Sequence, residues 1–371
     1  MKIVMTVNSA WNIANFRLPV LRALQEDGHE VIVLAPPDEG VSRIEAAGAK
    51  FLPLEMDVKG LNPVSDMRLL HSLRQLFRIH APDVILGYTI KNNIFGSMAA
   101  HATNIPFIPN VSGLGTAFLS HGLLRLVAER LYRHAFRRVP LAFFQNSDDL
   151  DMFVRRGLIK QAQGRLLPGS GIDLDYFQES APTKTSPTST FLMIGRLLRD
   201  KGVNEFVEAA RLVKKNVPEA KFQLLGAVTS QNRTAIDLAA VHSWVSEGAI
   251  EYLGVAEDVR PFIERASCVI LPSYREGAPR TLIEAAAMAR PIITTDVPGC
   301  RSVIDDDVSG FLCEAKNAIS LADAVTKFLA LDREEQRAMG LAGRQKMVRE
   351  FDERIIVAEY RNAIAEMRRL S

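Results

Sequence analysis

The sequence predicts an α/β protein made of two doubly wound domains in tandem. Three features predict it: the length, two successive series of short apolar runs alternating with helical periodicity, and a Pro/Ser/Thr-rich stretch between the two series. At 371 residues the chain is too long for one ordinary hydrophobic core and suits two of moderate size. Strands separated by helices pair in parallel, with helices on both faces of the sheet.

In the first series, Ile3–Val7 and Glu30–Ala35 are short apolar runs of the buried-strand type. Between them Phe16–Glu26 carries apolar residues at helical spacing and is closed by Asp27-Gly28. Further strands are expected near Phe51–Leu54, Val84–Gly87, Phe107–Pro109 and Leu141–Phe144, with helices near Asp66–Ile79, Asn92–Ala102 and Leu123–Arg138. Residues Glu179 to Thr188 read as a linker. The second series then places strands at Phe191–Gly195, Phe222–Leu225, Cys268–Leu271 and Pro291–Thr294. Its helices fall near Asn204–Lys215, Thr234–Glu247, Val259–Arg265 and Pro279–Met288, and the pattern from about Leu321 to Arg369 is helical. Domains are therefore expected over 1–178 and 190–350, with 351–371 a terminal helix returning to the first. Ligands of such sheets sit beyond the carboxyl ends of the strands, here in a cleft faced by both domains.

Composition is that of a globular protein, with 47% apolar and 24% charged residues. A net charge of +2 is too small for a nucleic-acid binder, so nucleic acid is not an expected partner. Three scattered cysteines fit neither a disulfide framework nor a zinc site, which points to a reducing compartment. The apolar start Met1–Val7 meets Asn8, Ser9 and Asn12 too soon for a signal peptide, and no apolar run approaches a membrane span. The expected location is cytoplasmic, peripheral at the inner face of the cell membrane.

The segment from Leu271 to Ala285 follows a buried strand and opens a helix. Pro279 suits the first helical turn, and Gly277 lets backbone approach a ligand, with the amides of Gly277 and Ala278 favouring electron-rich groups. Glu284 falls in the second turn, where two carboxylate oxygens match the adjacent hydroxyls of a ribose. Glu276, in the loop, can accept from sugar hydroxyls or stabilise positive charge at an anomeric carbon. The plainer reading is a surface helix with two solvated glutamates. A second constellation, Gly195-Arg196-Leu197-Leu198-Arg199-Asp200-Lys201-Gly202, follows the strand ending near Gly195. Arg196 as a planar fork and Lys201 as a point charge can hold a diphosphate without a metal. An ordinary charged strand-to-helix loop is the alternative.

Together these segments resemble the fourth family of retaining glycosyltransferases, which have the two-domain GT-B fold. That family carries an Arg, a Lys about five residues on, and a Glu-x7-Glu pair around Gly-x-Pro. The likeness continues through Gly28-His29-Glu30-Val31, Pro168-Gly169-Ser170-Gly171-Ile172-Asp173 and Gly310-Phe311-Leu312. Asn15-Phe16-Arg17-Leu18-Pro19, Lys91-Asn92-Asn93-Ile94-Phe95-Gly96 and Gly113-Leu114-Gly115 narrow it. They are similar to segments of bacterial N-acetylgalactosaminyltransferases acting on undecaprenyl-diphosphate-linked sugars.

The resemblance implies a retaining hexosyltransferase that takes a hexose or N-acetylhexosamine from a UDP-sugar. The acceptor implied is a polyprenyl-diphosphate-linked saccharide in polysaccharide or glycan assembly. Arg196 and Lys201 would bind the donor diphosphate, Glu284 the ribose, and Glu276 with Gly277, Ala278 and Pro279 the donor sugar. No cofactor and no metal is implied, the nucleotide sugar being a substrate. Asn15, Arg17 and Lys91 are the acceptor or phosphate candidates. Two departures stand out: Val7–Phe16 contains no glycine, and Val111-Ser112-Gly113 stands where many members place a histidine. A nucleotide-sugar epimerase or hydrolase of the same fold is the alternative. It would need its own acid or base, and no histidine or paired carboxylates stand out for that work.

Other patterns carry less. Asp149-Leu150-Asp151, Asp173-Leu174-Asp175 and Asp305-Asp306-Asp307 all match a metal-binding Asp-x-Asp, but turns and caps account for each. Arg125, Arg130, Arg133, Arg137 and Arg138 interleave with apolar residues over Leu123–Val139, a pattern suited to an anionic membrane surface. Arg68, Arg74 and Arg78 accompany Leu69, Leu70, Leu73, Leu76 and Phe77 similarly, where a core-facing helix with a solvated back is the better reading.

Overall fold

The structure is a computed structural model that describes residues 1–58, 60, 62–113, 123–180, 188–228 and 234–370, without the side chains of 123, 124 and 370. Leu114 and Gly115 of the glycine motif and residues 181–187 of the expected linker lie outside the described residues. The chain forms two units, Met1–Gly171 with Glu353–Ser371, and Ile172–Asp352.

The first unit holds seven strands: β1 (Lys2–Thr6), β2 (Glu30–Ala35), β3 (Lys50–Pro53), β4 (Val84–Tyr88), β5 (Phe107–Val111), β6 (Ala142–Phe144) and β7 (Gly164–Leu166). They pair in parallel in the order β3-β2-β1-β4-β5-β6-β7. Side chains alternate between two cores. Ile3, Met5, Val31, Val33 and Leu86 face one, whereas Val4, Ile32, Leu34 and Ile85 face the other. This is why the strands read as continuous apolar runs, since a parallel sheet covered on both faces has no solvated side. Each such buried side chain contributes about 1.5–3 kcal/mol of transfer free energy. The helix Glu353–Leu370 packs Ile356, Tyr360, Ala363, Ile364 and Met367 into the first of these cores.

The second unit holds β8 (Thr190–Ile194), β9 (Lys221–Leu225), β10 (Glu251–Tyr252), β11 (Cys268–Leu271), β12 (Ile292–Thr295) and β13 (Gly310–Cys313). They are parallel in the order β10-β9-β8-β11-β12-β13. In each sheet the strand order reverses between its first strand and its fourth in chain order: β1 beside β4, and β8 beside β11. Loops leaving such neighbours diverge and open a crevice at the strands' carboxyl ends.

Some elements depart from expectation for local reasons. The helix read from Thr234 begins at Leu238, because Arg199 N donates to Thr234 O at 2.7 Å and Ile236 N to Leu197 O at 2.9 Å. Those bonds hold 234–236 extended, and Asp237 caps the helix through Ala239 N at 3.1 Å. The helical tail is three helices, Ala318–Ala330, Arg333–Lys346 and Glu353–Leu370. Asp332 and Glu335 form a capping box that starts the second, and a π-helical turn at Met347–Phe351 ends it. Among the described residues no helix is long and apolar enough to cross a membrane.

Candidate functional site

The two constellations of the second unit come off neighbouring strands. Past β8, Leu197 and Leu198 are buried and leave Arg196 and Arg199 exposed. Leu197 N donates to Ala227 O at 3.0 Å and Gly195 N to Leu225 O at 3.0 Å, so this loop is tied to the exit of β9. A single 3-10 turn, Arg199–Lys201, then ends at Gly202, whose φ is +77°. A Cβ there would lie 2.1 Å from Pro272 O. Glycine takes this backbone without strain and leaves room for the contact, which lays the cationic loop against the loop after β11.

The β11 loop is built to receive it. Pro272 and Ser273 are buried, and Tyr274 N donates to Asp200 O at 2.9 Å. Tyr274 Oη donates to Glu205 Oε1 at 2.7 Å. Lys201 Nζ pairs with Glu276 Oε1, which also accepts from Ser273 Oγ at 2.6 Å. The side chains of Lys201 and Glu276 are 23% and 14% exposed, so this carboxylate is largely withdrawn from water yet charge-compensated. Glu276 N donates to Pro298 O at 3.1 Å. Gly299, at φ +81°, closes the turn so tightly that a Cβ would lie 2.4 Å from Glu276 O. The thiol of Cys300 is pushed up to about 12, chiefly by burial and further by the Glu276 carboxylate.

The helix Arg280–Ala287 starts one residue later than Pro279, which is the N-cap, not the first helical residue. Its carbonyl accepts from Leu282 N at 3.1 Å and Ile283 N at 3.2 Å, and no side chain caps the first turn. Thr281 Oγ1 donates to Ile194 O at 3.3 Å, pinning the helix start over the end of β8. Leu282, Ile283 and Ala285 to Ala287 face the core. Glu284 keeps 14% side-chain exposure and accepts from Arg280 Nε at 2.8 Å. Burial raises its carboxyl above the ordinary glutamate value, Arg280 one turn earlier pulls it back, and Asp258 adds a further upward push.

In the first unit the three candidates differ sharply. Asn15 is half-buried and locally engaged, donating to Trp11 O at 2.9 Å and accepting from Arg43 Nη1 at 2.9 Å. Lys91 forms an ion pair with Asp66 at 2.7 Å, with side-chain exposures of 15% and 19%. Arg17 is only 3% exposed and its guanidinium carbon lies 4.9 Å from the centre of the Tyr88 ring. The surrounding motif residues hold the fold: Asn92 Nδ2 donates to Thr6 Oγ1 at 2.8 Å and Asn93 Nδ2 to Asn110 O at 2.8 Å. A Cβ on Gly96 would lie 2.7 Å from the Phe107 ring. Among the Asp-x-Asp matches, Asp173 Oδ1 accepts from Asp175 N and Tyr176 N at 2.9 Å each, an Asx turn.

Residues 13–168 match the glycosyl transferase 4-like domain family, and residues 177–346 match the glycosyl transferases group 1 family. The chain belongs to the GT-B glycosyltransferases. It is 28% identical over 378 residues to the N,N'-diacetylbacillosaminyl-diphospho-undecaprenol alpha-1,3-N-acetylgalactosaminyltransferase of Campylobacter jejuni, covering 97% of each chain. A glycosyltransferase from Rickettsia africae shares the fold at a TM-score of 0.81 with 17% identity, over 100% of this chain and 99% of that one. Anabaena Alr3699/HepE in complex with UDP does so at 0.79 with 17% identity, over 99% and 100%.

Several residues that shape this candidate site do not stand out in the sequence. Ser273 and Arg280 are the neutral and cationic partners of Glu276 and Glu284. Gly299 sets the turn on which Glu276 rests. Arg280 was the more accessible of these, since a cation four residues before a glutamate on a helix start is an i,i+4 pair. Nothing in the local pattern marks Gly299, which meets Glu276 where the loops after the neighbouring strands β11 and β12 touch.

Proposed function

We propose that this glycosyltransferase is a retaining, metal-independent hexosyltransferase. It moves a hexose or N-acetylhexosamine from a UDP-sugar to a polyprenyl-diphosphate-linked saccharide during surface polysaccharide or glycan assembly. The observation that carries this is the compensated acidic pair at the β8/β11 switch point, Lys201 with Glu276 and Arg280 with Glu284. Arg196 and Lys201 take the donor diphosphate, Glu284 the ribose hydroxyls, and Glu276 with the backbone of Gly277, Ala278 and Pro279 the donor sugar. The uncapped first turn of Arg280–Ala287 adds donors for an electron-rich group.

In the reaction the bond from the anomeric carbon to the β-phosphate oxygen breaks, and a bond to the acceptor oxygen forms on the same face. The acceptor's proton passes to the departing phosphate, whose charge the two cations offset. The names of the relatives support the acceptor and the nucleotide: the Campylobacter jejuni protein acts on a diphospho-undecaprenol-linked sugar, and the Anabaena structure contains UDP. A peripheral position at the inner membrane face fits the helix Leu123–Phe136. That helix and its end expose Leu126 and Val127 beside Arg130, Arg137 and Arg138. The test is transfer from a panel of UDP-, GDP- and ADP-sugars to a prenyl-diphosphate saccharide in excess EDTA, with the product anomer read by NMR. Transfer from a UDP-sugar with the anomeric configuration kept is expected. Inversion, strict dependence on added metal, or transfer only from another nucleotide would each refute the corresponding part.

A further inference from the structure

Arg17 is a buried cation without an adequate partner among the described residues. It sits between the helices Ala10–Phe16 and Leu18–Glu26, and its side chain is held on the Tyr88 ring at the carboxyl end of β4. Its Nε and Nη1 are inaccessible to solvent and have no hydrogen-bond partner among the described residues. In the amide orientation that satisfies Gln145, that side chain accepts from Arg17 Nη2 at 3.2 Å and donates to Ser112 O at 3.2 Å. One neutral amide oxygen and one aromatic face are poor exchange for the hydration of a guanidinium, and a buried charge left so is strongly unfavourable. A buried unsatisfied group of this kind calls for an explanation, and a bound ion is one.

The surroundings are those of an anion site. Tyr88, Ser112 and Gln145 stand at or just past the ends of β4, β5 and β6, on the side where parallel sheets bind ligands. The helix Ile90–His101 begins immediately beyond Tyr88 with no side-chain cap. Its N-cap Thr89 has φ +67°, strained for a β-branched residue, and its hydroxyl donates to the Asn92 side chain at 3.1 Å instead of closing the helix end. An unclosed helix N-terminus and a desolvated guanidinium both select negative charge with acceptor oxygens.

We propose that Arg17 is the seat of a phosphate site in the first unit and binds the diphosphate of the lipid-linked acceptor. This rests on the acceptor reading above, and it separates Arg17 from Asn15 and Lys91, whose polar groups are already taken. Arg17 is a binding residue and takes no part in bond making.

The test uses Arg17→Met and Arg17→Lys in the full chain. Because no described residue compensates the charge, Arg17→Met is expected to hold or raise Tm. Inorganic diphosphate, titrated calorimetrically in saturating UDP so that the donor cations are occupied, binds the wild type and binds Arg17→Met about 10- to 100-fold more weakly. KM for a prenyl-diphosphate saccharide rises by a similar factor with kcat little changed, Arg17→Lys recovers part of it, and the Kd for UDP does not move. A lower Tm with all constants falling in parallel in both variants would make Arg17 a packing residue and overturn the proposal. Weakened UDP binding would move the anion to the donor. Unchanged diphosphate binding would remove the site. If the wild type transfers to no lipid diphosphate at all, the acceptor reading fails, while the diphosphate titration still decides whether the anion site exists.

Discussion

Replacing Lys201 by alanine removes the cation that the free protein keeps on Glu276. In the proposed donor complex that ammonium turns to the diphosphate, so UDP binding is an exchange of partners and not the capture of a free charge. A hydrogen bond to an ionised group is worth about 1.5–3 kcal/mol, which corresponds to UDP binding about 10- to 100-fold weaker in Lys201→Ala. The competing pair has side chains 23% and 14% exposed, and desolvation of its two charges offsets most of their attraction, leaving a net worth of about 1 kcal/mol. Glu276→Gln releases Lys201 from that competition, so UDP binds as tightly as in the wild type or up to about five times more tightly. Transfer nevertheless falls by about 10²-fold or more, because a neutral amide lacks the charge that faces the anomeric centre in the transition state.

Isothermal calorimetry with UDP on the wild type, both single variants and the double variant completes a cycle. The gain from Glu276→Gln disappears once Lys201 is alanine, since the released cation is then absent. Unchanged UDP affinity in Lys201→Ala would refute the diphosphate role. A loss in Glu276→Gln as large as that in Lys201→Ala would show that Glu276 touches the nucleotide itself.

Burial raises the Glu284 carboxyl, so the folded protein takes up this proton more readily than the unfolded chain; its ionisation costs stability, and the cost is relieved as pH falls through the folded value. UDP affinity should therefore weaken on acidification at a higher pH than an ordinary glutamate dictates, and Glu284→Gln should weaken UDP by about tenfold and remove that limb; an identical pH profile would refute the ribose role. Gly202→Ala should cost about 1–3 kcal/mol of stability and weaken UDP, given φ +77° and the Pro272 carbonyl at 2.1 Å, whereas Gly195→Ala, with nothing within 4 Å of the added carbon, should hold its Tm. Equal melting curves for the two variants would show that the Gly202 contact does not hold the loop. Changing Arg130, Arg137 and Arg138 to glutamine should reduce cosedimentation with anionic vesicles, each contributing about 1 kcal/mol near the surface; undiminished binding would place the membrane face elsewhere.

Much of the fold was legible because parallel sheets buried on both faces leave apolar runs. Val31 to Ala35 and Cys268 to Leu271 read as strands for that reason, and they are. The short strands at Gly164–Leu166, Glu251–Tyr252 and Gly310–Cys313 did not stand out, being two to four residues long, partly exposed, or opened by glycine. Gly310 is there because a Cβ would meet Ile292 O at 2.2 Å, a contact with the neighbouring strand β12 that no local pattern announces. The site divides in the same way. Glu276 and Glu284 were visible from one segment, whereas the Lys201–Glu276 pair spans 75 positions and depends on β8 and β11 being neighbours. Gly202 and Gly299 carry that dependence, since each lets one loop backbone rest on another.

Charge compensation separates the two candidate regions more clearly than residue type does. In the second unit both glutamates of the pair already hold cations, so the free site is near neutral and ligand binding exchanges existing contacts for new ones. Such exchange tends to limit affinity while favouring discrimination, because a ligand that fails to replace a displaced contact leaves a charge unpaired. In the first unit Arg17 has no such partner among the described residues, and the two groups it meets there, the Tyr88 ring and the Gln145 amide, are neutral. An anion arriving there relieves a desolvation cost already present in the fold, so binding should stabilise the protein beyond what its contact area alone suggests. The two regions therefore predict opposite thermal responses to losing their cation: Lys201→Ala strands the Glu276 carboxylate and lowers Tm, whereas Arg17→Met removes a stranded charge and does not. A melting series on the two variants in the absence of any ligand decides between this account and one in which both cations simply hold the fold.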